Sequence, residues 1–235
     1  MSEIDLDHHP LVLHLREDAQ LEPSSWLTDF PILAEPEIQA KIRSKNRSFT
    51  DQKISYRLFW DQSRRRILAV MHFNYSCEGP RGMVHGGALA TGADSIMGFH
   101  SVRVGGLGYV TLNLSLTYKK FVPLNSVVLA ESVLVKQTNK KAWMHCRVFS
   151  VELTDALSPA CMELNIAGLK VTQMHTVCEA LFYQAPQFRG PSYDTLLDLM
   201  GKNSGASKET VLQLIEAQRA HLRKQSEKAR SRARL

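Results

Sequence analysis

Alternating apolar and polar residues mark several strands along this chain. The longest regular run extends from Val110 to Tyr118, where every second residue is apolar, the pattern of a strand with one buried face. Residues 54–60 alternate in the same way, and 66–73 follow a polar turn as a hairpin partner. The pattern predicts further strands over 126–137, 141–152 and 160–171.

A long helix is predicted early in this series of strands. The stretch from Glu78 to Met97 reads EGPRGMVHGGALATGADSIM, so turn residues lead into a helical segment. Gly105, Gly106 and Gly108 then end the helix and reverse the chain. One helix among strands in hairpin order predicts an α+β fold with an antiparallel sheet, because no helix alternates with the later strands.

The segments on either side of the strands predict three parts. Residues 1–49 form an N-terminal extension that packs on the main domain, with a short helix at Pro36–Arg43. Residues 50–176 form the domain itself. Residues 177–235 form a linker with a short apolar helix at 193–200, followed by a basic C-terminal helix that begins near Ser207.

The junction between the glycine-rich turn and the helix is the expected site of chemistry. The first N–H groups of a helix have no partner within it, and the helix dipole adds positive charge there. Gly86 and Gly87 let a reacting group approach the backbone, so a developing oxyanion would be stabilised. Asp94 lies two turns further on, ~10 Å along the axis. Two helices packed antiparallel in a symmetric dimer would bring each Asp94 to the other's glycines.

These residues also carry a resemblance to a known family. The runs Glu78-Gly79-Pro80 and Val84 to Ala88, with Ala90-Thr91, Asp94 and Gly98, resemble the hotdog-fold acyl-CoA thioesterases, especially relatives of the mammalian long-chain enzymes. Residues 110–114 and 118–124 resemble the next strand of that family and its exit. The resemblance covers about 50–172. It implies a long helix wrapped by an antiparallel sheet, a homodimer or a dimer of dimers, and thioester hydrolysis.

The resemblance also implies a role for each residue of the site. Asp94 acts as a general base on water or attacks the thioester itself, and Thr111 orients the water. Gly87 donates its N–H to the thioester oxygen, Gly86 belongs to the same turn, and His85 fixes the loop by hydrogen bonding. Read without the family, Asp94 is a capped or solvated carboxylate and Thr111 an ordinary β-branched strand residue.

Binding residues follow from the same resemblance. Lys119 and Lys120, with Asn113 and Ser95 as weaker candidates, would meet the coenzyme A part of the substrate, and no separate cofactor or metal is expected. Phe121 stands where the family pattern has proline, so the exit loop differs here. The acyl group, expected to be of medium or long chain, would lie beside the helix. The residues predicted to line its pocket are Met83, Leu89, Met97 and Phe99.

Two other functions remain open at this point. A non-catalytic hotdog protein that binds acyl-CoA as a scaffold or sensor would keep the glycine junction and lose hydrolysis. Hydratase chemistry also occurs on hotdog scaffolds, but it needs a His/Asp pair placed differently. Three arginines at the tip of the first hairpin, Arg64 to Arg66, would either contact a phosphate or simply be solvated.

Composition limits the class of protein and the cellular location that we expect. The chain has 235 residues, 44% of them hydrophobic, and no apolar run reaches the ~18 to 20 residues of a membrane span. We expect an intracellular protein with neither a secretory signal nor a transit peptide. The four cysteines lack metal-site spacing, so we expect reduced thiols. They are Cys77, Cys146, Cys161 and Cys178.

The C-terminal segment carries the excess positive charge and a candidate targeting signal. The net charge of +6 lies entirely in the last 17 residues, where seven bases face one acid. Basic patches of this kind can bind nucleic acid, but we expect no such role for this tail. Ala233-Arg234-Leu235 resembles the SKL-type signal read by the peroxisomal import receptor. The expected location is therefore the peroxisome, or otherwise the cytoplasm.

Overall fold

The architecture is a seven-stranded antiparallel sheet with one long helix against its inner face. The computed structural model describes residues 4–24, 54–105, 108–154 and 164–185. The helices are α1 (Pro10–Glu17) and α2 (Gly86–Gly105). The strands are β1 (Leu21–Ser24), β2 (Ile54–Asp61), β3 (Arg66–Phe73), β4 (Tyr109–Tyr118), β5 (Val127–Gln137), β6 (Lys141–Leu153) and β7 (Leu169–Gln184).

The strand order is β1-β2-β3-β5-β6-β7-β4, and every neighbouring pair is antiparallel. The hairpins β2–β3 and β5–β6 lie where the apolar patterns predict them. Strand β4 follows α2 in the sequence but crosses to the far edge, beside β7. The predicted α+β hotdog arrangement, a sheet wrapped around one helix, is confirmed.

Small residues let α2 pack tightly on the inner face of the sheet. A Cβ added at Gly92 would lie 3.3 Å from the Met71 sulfur and 3.5 Å from the Phe73 ring, both on β3. Ala93 and Met97 on the same helix are fully buried. Because the helix rests on the sheet through these residues, its first turn and its Asp94 side remain near the surface.

The N-terminal segment covers part of the outer face. Leu11, Val12 and Leu15 of α1 are buried in one cluster with residues of β2, β3, β5 and β6. The Arg57 guanidinium on β2 pairs with Asp7 and holds the pKa of that carboxyl well below its usual range. Residues of α1 therefore pack on the sheet, while the extension over 1–49 stays a prediction.

The end of the sheet differs from the prediction. A strand over 160–171 and a linker from residue 177 were expected, but β7 runs from Leu169 to Gln184 and pairs with both β6 and β4. The boundaries 1–49, 50–176 and 177–235 stay predictions. The predicted helices at 36–43, 193–200 and after 207 lie outside the described residues, as do Cys161 and the C-terminal tripeptide.

The hairpin arginines do not share one environment. Arg66 is 3% exposed and pairs with Asp61 at 2.9 Å and with Glu131 at 2.6 Å. Burial by itself raises the pKa of Asp61, but hydrogen bonds from Ser63, the Arg64 amide and Arg66 outweigh it, so this pKa is lowered. For Arg66, both the phosphate contact and the solvated side chain were wrong interpretations.

The described cysteines agree with the expectation of reduced thiols. Cys77, Cys146 and Cys178 are buried thiols. Cys146 and Cys178 are register partners on β6 and β7. Burial raises the pKa of Cys178 to about 12 and raises that of Cys146 as well, so both stay protonated and unreactive at neutral pH.

Stability should depend on pH through His100, a buried histidine of α2. His100 bonds to Ser132 and to the Arg65 carbonyl, and burial lowers its pKa from 6.5 to about 4. Below pH 6.5 the unfolded chain binds a proton that the folded chain refuses. The contribution of His100 to the free energy of unfolding is thus fully present above pH 6.5. It falls by about 3 kcal/mol as the pH drops to 4. Urea unfolding of wild type and His100→Gln between pH 4 and 7 would measure it, and parallel curves would contradict it.

Candidate active site

The glycine-rich turn is fixed to the domain before α2 begins. The His85 N–H donates to the Cys77 carbonyl at 2.7 Å, and the Gly82 N–H donates to a Glu78 carboxylate oxygen at 2.7 Å. A Cβ at Gly79 would lie 2.8 Å from the His85 Cα, closer than real contacts allow. The turn therefore needs glycine at this position, which explains the Glu78-Gly79-Pro80 run.

His85 caps the first turn of α2. Its Nδ1 accepts the Gly87 N–H at 2.9 Å, and its carbonyl accepts the Ala88 N–H at 2.9 Å. Because Nδ1 is an acceptor here, the neutral imidazole carries its proton on Nε2. The loop-fixing bond expected of His85 is present, and it uses the same N–H that was predicted to face the substrate.

Asp94 and Thr111 form a pair across α2 and β4. The Thr111 hydroxyl donates to an oxygen of the Asp94 carboxylate at 2.9 Å. Asp94 is half-buried and Thr111 is exposed. The second carboxylate oxygen has no hydrogen-bond partner among the residues that the structure describes. The arrangement holds the acid in one orientation and leaves that oxygen for a water or a substrate.

An irregularity in β4 makes this pairing compatible with the rest of the strand. The register with β7 shifts between Thr111 and Asn113, which leaves Leu112 as the extra residue of a β-bulge. Without a bulge, Thr111 and Tyr118 would lie on opposite faces, because they are seven residues apart. With it, both side chains bond to α2, Thr111 at Asp94 and Tyr118 at the Gly86 carbonyl.

A cleft of about 500 Å³ opens beside the first turn of α2. Lys119 and Lys120 line it together with Gly86. The amides of both lysines donate to the His175 carbonyl, at 2.7 and 3.2 Å, which fixes the exit of β4. The apolar side of the cleft includes Leu89 and Phe121. The cleft therefore combines two cations with an apolar wall.

Other predicted residues lie elsewhere. Asn113 faces a groove on the outer side of the sheet with Trp143 and Glu179, away from α2, so it does not join the lysines. Met97 and Phe99 are 0% and 1% exposed in the core and do not line the cleft. Met83 is half-buried in the turn, and Ser95 is half-buried beside Asp94.

Sequence reasoning missed Tyr118 as a site residue. In the alternating pattern it belongs to an apolar row and looks like any strand aromatic. The available signal was its position directly before two lysines at a strand end. Thr91 was missed as well, and its hydroxyl donates to the Gly87 carbonyl at 2.8 Å.

The two halves of the site are separated within one chain. Gly87 and Asp94 lie on the same helix seven residues apart, which places them ~10 Å apart along its axis. Asp94 bonds to Thr111 of β4, and the glycine turn bonds to Tyr118 at the other end of that strand. The structure does not bring Asp94 to the glycine turn of the same chain.

Comparison with known proteins finds a family match over this region. Residues 81–156 match the model of the Thioesterase superfamily. A thioesterase-superfamily region thus spans 81–156. The matched residues begin in the glycine turn and contain Gly87, Asp94 and Thr111, together with both lysines.

Two curated relatives match 40% and 49% of the chain. The acyl-coenzyme A thioesterase THEM4 of Xenopus laevis is 35% identical over 95 residues, which are 40% of this chain and 42% of the relative. THEM4 of Mus musculus is 32% identical over 117 residues, 49% of this chain and 50% of the relative. The chain thus spans half or less of the length of these relatives. A solved structure of zebrafish thioesterase superfamily member 2 aligns with a TM-score of 0.46 and 14% identity, over 63% of this chain and 92% of its own.

No helix among the described residues has the length and apolar character needed to cross a membrane.

Proposed function

We propose that the protein is an acyl-CoA thioesterase that hydrolyses a fatty acyl-CoA to the free acid and coenzyme A. The observation that carries this proposal is the 2.9 Å hydrogen bond from the Thr111 hydroxyl on β4 to the Asp94 carboxylate on α2. The first turn of α2 opens into the lysine-lined cleft. The relatives named acyl-coenzyme A thioesterase support it. A scaffold that only bound acyl-CoA would have no need of an oriented carboxylate.

We infer that the active unit is a homodimer joined through β4. This strand pairs with β7 on one side, and within the described ranges no strand pairs with its other side. Val110 and Leu112 on it are 39% and 55% exposed. Uncovered apolar edge strands promote association. A second copy related by a two-fold axis would cover this edge and bring each Asp94 toward the other chain's glycine turn.

The proposed chemistry uses the two halves in sequence. Asp94 removes a proton from a water, which attacks the thioester carbonyl carbon. The carbonyl oxygen becomes an oxyanion and accepts the Gly87 N–H of the other chain. To do so, it must replace or share the His85 Nδ1 that accepts this N–H in the structure. The C–S bond then breaks, and the coenzyme A thiolate takes the proton back from Asp94.

Substrate binding is assigned to the cleft. Lys119 and Lys120 supply two positive charges for the phosphates of coenzyme A. Leu89 and Phe121 offer apolar surface beside them. A medium or long acyl chain suits this apolar wall, since each buried CH₂ contributes about 0.8 kcal/mol.

Thiol release from acyl-CoAs of increasing chain length tests the proposal. We expect saturable hydrolysis by the full chain, with KM falling as the acyl group lengthens. A matched series of acyl-CoA thioethers, which cannot be hydrolysed, should inhibit competitively with the same order of affinities. Tight thioether binding without any thiol release would instead identify an acyl-CoA-binding scaffold.

A further inference from the structure

A tyrosine outside the predicted site holds the glycine turn. Tyr118, the last residue of β4, donates its hydroxyl proton to the Gly86 carbonyl at 2.9 Å. A Cβ added at Gly86 would lie 3.2 Å from both the hydroxyl oxygen and the adjoining ring carbon of Tyr118. Any larger residue at position 86 would press against the tyrosine, so the two positions fit one another.

The bonded carbonyl belongs to the same peptide group as the predicted oxyanion donor. A peptide is planar, so the direction of the Gly86 carbonyl also fixes the direction of the Gly87 N–H. A hydrogen bond to the carbonyl oxygen polarises the amide and strengthens its N–H as a donor. His85 Nδ1 accepts that N–H at the opposite side. The peptide is thus held at both ends by side chains.

We propose that Tyr118 is a positioning residue, whose hydroxyl keeps the Gly87 N–H aimed at the oxyanion of the reaction. This inference rests on the proposed thioesterase function. The bulge in β4 is what brings the hydroxyl to α2, and it lets one strand position both halves of the chemistry. Thr111 orients the acid, and Tyr118 orients the amide.

Two further features fit this role. Burial raises the pKa of the Tyr118 hydroxyl, so the group remains a protonated donor at neutral pH. Tyr118 also precedes Lys119 directly and lines the same cleft. A bound coenzyme A group that contacts the lysines would therefore lie against the tyrosine that sets the amide.

The variant Tyr118→Phe isolates the hydroxyl, because the ring still packs on Gly86. We expect kcat to fall about tenfold, the equivalent of one net hydrogen bond, while KM changes less than twofold. Tyr109→Phe is the matched control. It lies on the same strand at the other end of α2, where a Cβ at Gly105 would come within 2.4 Å of its oxygen, and its kcat should equal that of wild type.

A second measurement does not depend on turnover. In Tyr118→Phe, we expect the ¹H and ¹⁵N signals of the Gly87 amide to move and its exchange with solvent to quicken, while melting temperature stays within a few degrees of wild type. An active wild type with unchanged kcat in Tyr118→Phe, or a raised KM alone, would refute the positioning role. An unmoved Gly87 signal would also refute it. A wild type that releases no thiol would refute the proposed function itself.

Discussion

An equimolar mixture of two inactive variants, Asp94→Asn and Gly87→Pro, is expected to recover about a quarter of the wild-type thioesterase activity. Each variant alone should lose at least ~100-fold in kcat, since one lacks the base and the other lacks the oxyanion donor. Proline removes the N–H of residue 87 in the first turn of α2, a position where helices accommodate proline. It also removes the bond to His85 Nδ1, and because a Cβ there would lie 2.9 Å from that atom, the imidazole must move.

The expected recovery follows from where the two halves lie. Gly87 and Asp94 occupy one helix, ~10 Å apart along its axis. Asp94 bonds to Thr111 of β4, and the Gly86 carbonyl, which shares a peptide group with the Gly87 N–H, bonds to Tyr118 of β4. If a site takes its acid from one chain and its amide from the other, a mixed dimer holds one intact site and one doubly defective site. Random exchange makes half of the dimers mixed, and half of their sites are intact, which gives about one quarter.

The control mixture combines Asp94→Asn with Asp94→Ala. Both chains then lack the same half, so no arrangement restores a site and thiol release should stay at the level of either variant. Affinity tags of two kinds would verify that mixed dimers form in each experiment. An inactive Asp94→Asn and Gly87→Pro mixture with verified mixed dimers would contradict a site shared between chains, and a monomeric wild type would remove its basis.

The sequence was informative wherever a single element carried its own signal. The glycine turn and α2 could be predicted because turn residues and small helical residues lie next to one another between Glu78 and Met97. The hairpins β2–β3 and β5–β6 followed from alternation that depends on one buried face. The Gly86 to Asp94 spacing, which is local, was enough to suggest two cooperating chains.

Features that depend on distant partners could not be predicted in the same way. The alternation through Leu112 is perfect in sequence, yet β4 is bulged there, because its register is set by β7 some seventy residues later. The bulge decides that Tyr118 reaches Gly86 and that Asn113 faces outward. The strand predicted over 160–171 overlaps only the first three residues of β7, because residues 172–184 alternate less clearly than β4 does.

Arg66→Met is expected to be among the most destabilising single substitutions in the described part of the chain. Arg66 is 3% exposed, and it bonds to Asp61, Glu131 and the Leu164 carbonyl. Without it, the buried Asp61 and Glu131 carboxylates keep only the more exposed Arg64 and Arg147 as cations, and breaking a buried pair costs about 3 to 5 kcal/mol. Thermal unfolding should then shift downward by roughly 10 °C for a chain of this size.

Arg64→Met is the matched control from the same hairpin. Arg64 is 34% exposed and lies 3.6 Å from Asp61, so its loss should cost less than about 1 kcal/mol. In the Arg66→Met background, Asp61→Asn should recover part of the stability, because it removes a buried charge that has lost its closest cation. Equal losses in Arg64→Met and Arg66→Met would show that the buried network contributes no more than a surface ion pair. The measured order of these three variants therefore tells whether Arg66, which the sequence placed either at a phosphate or in solvent, joins the hairpin to β5.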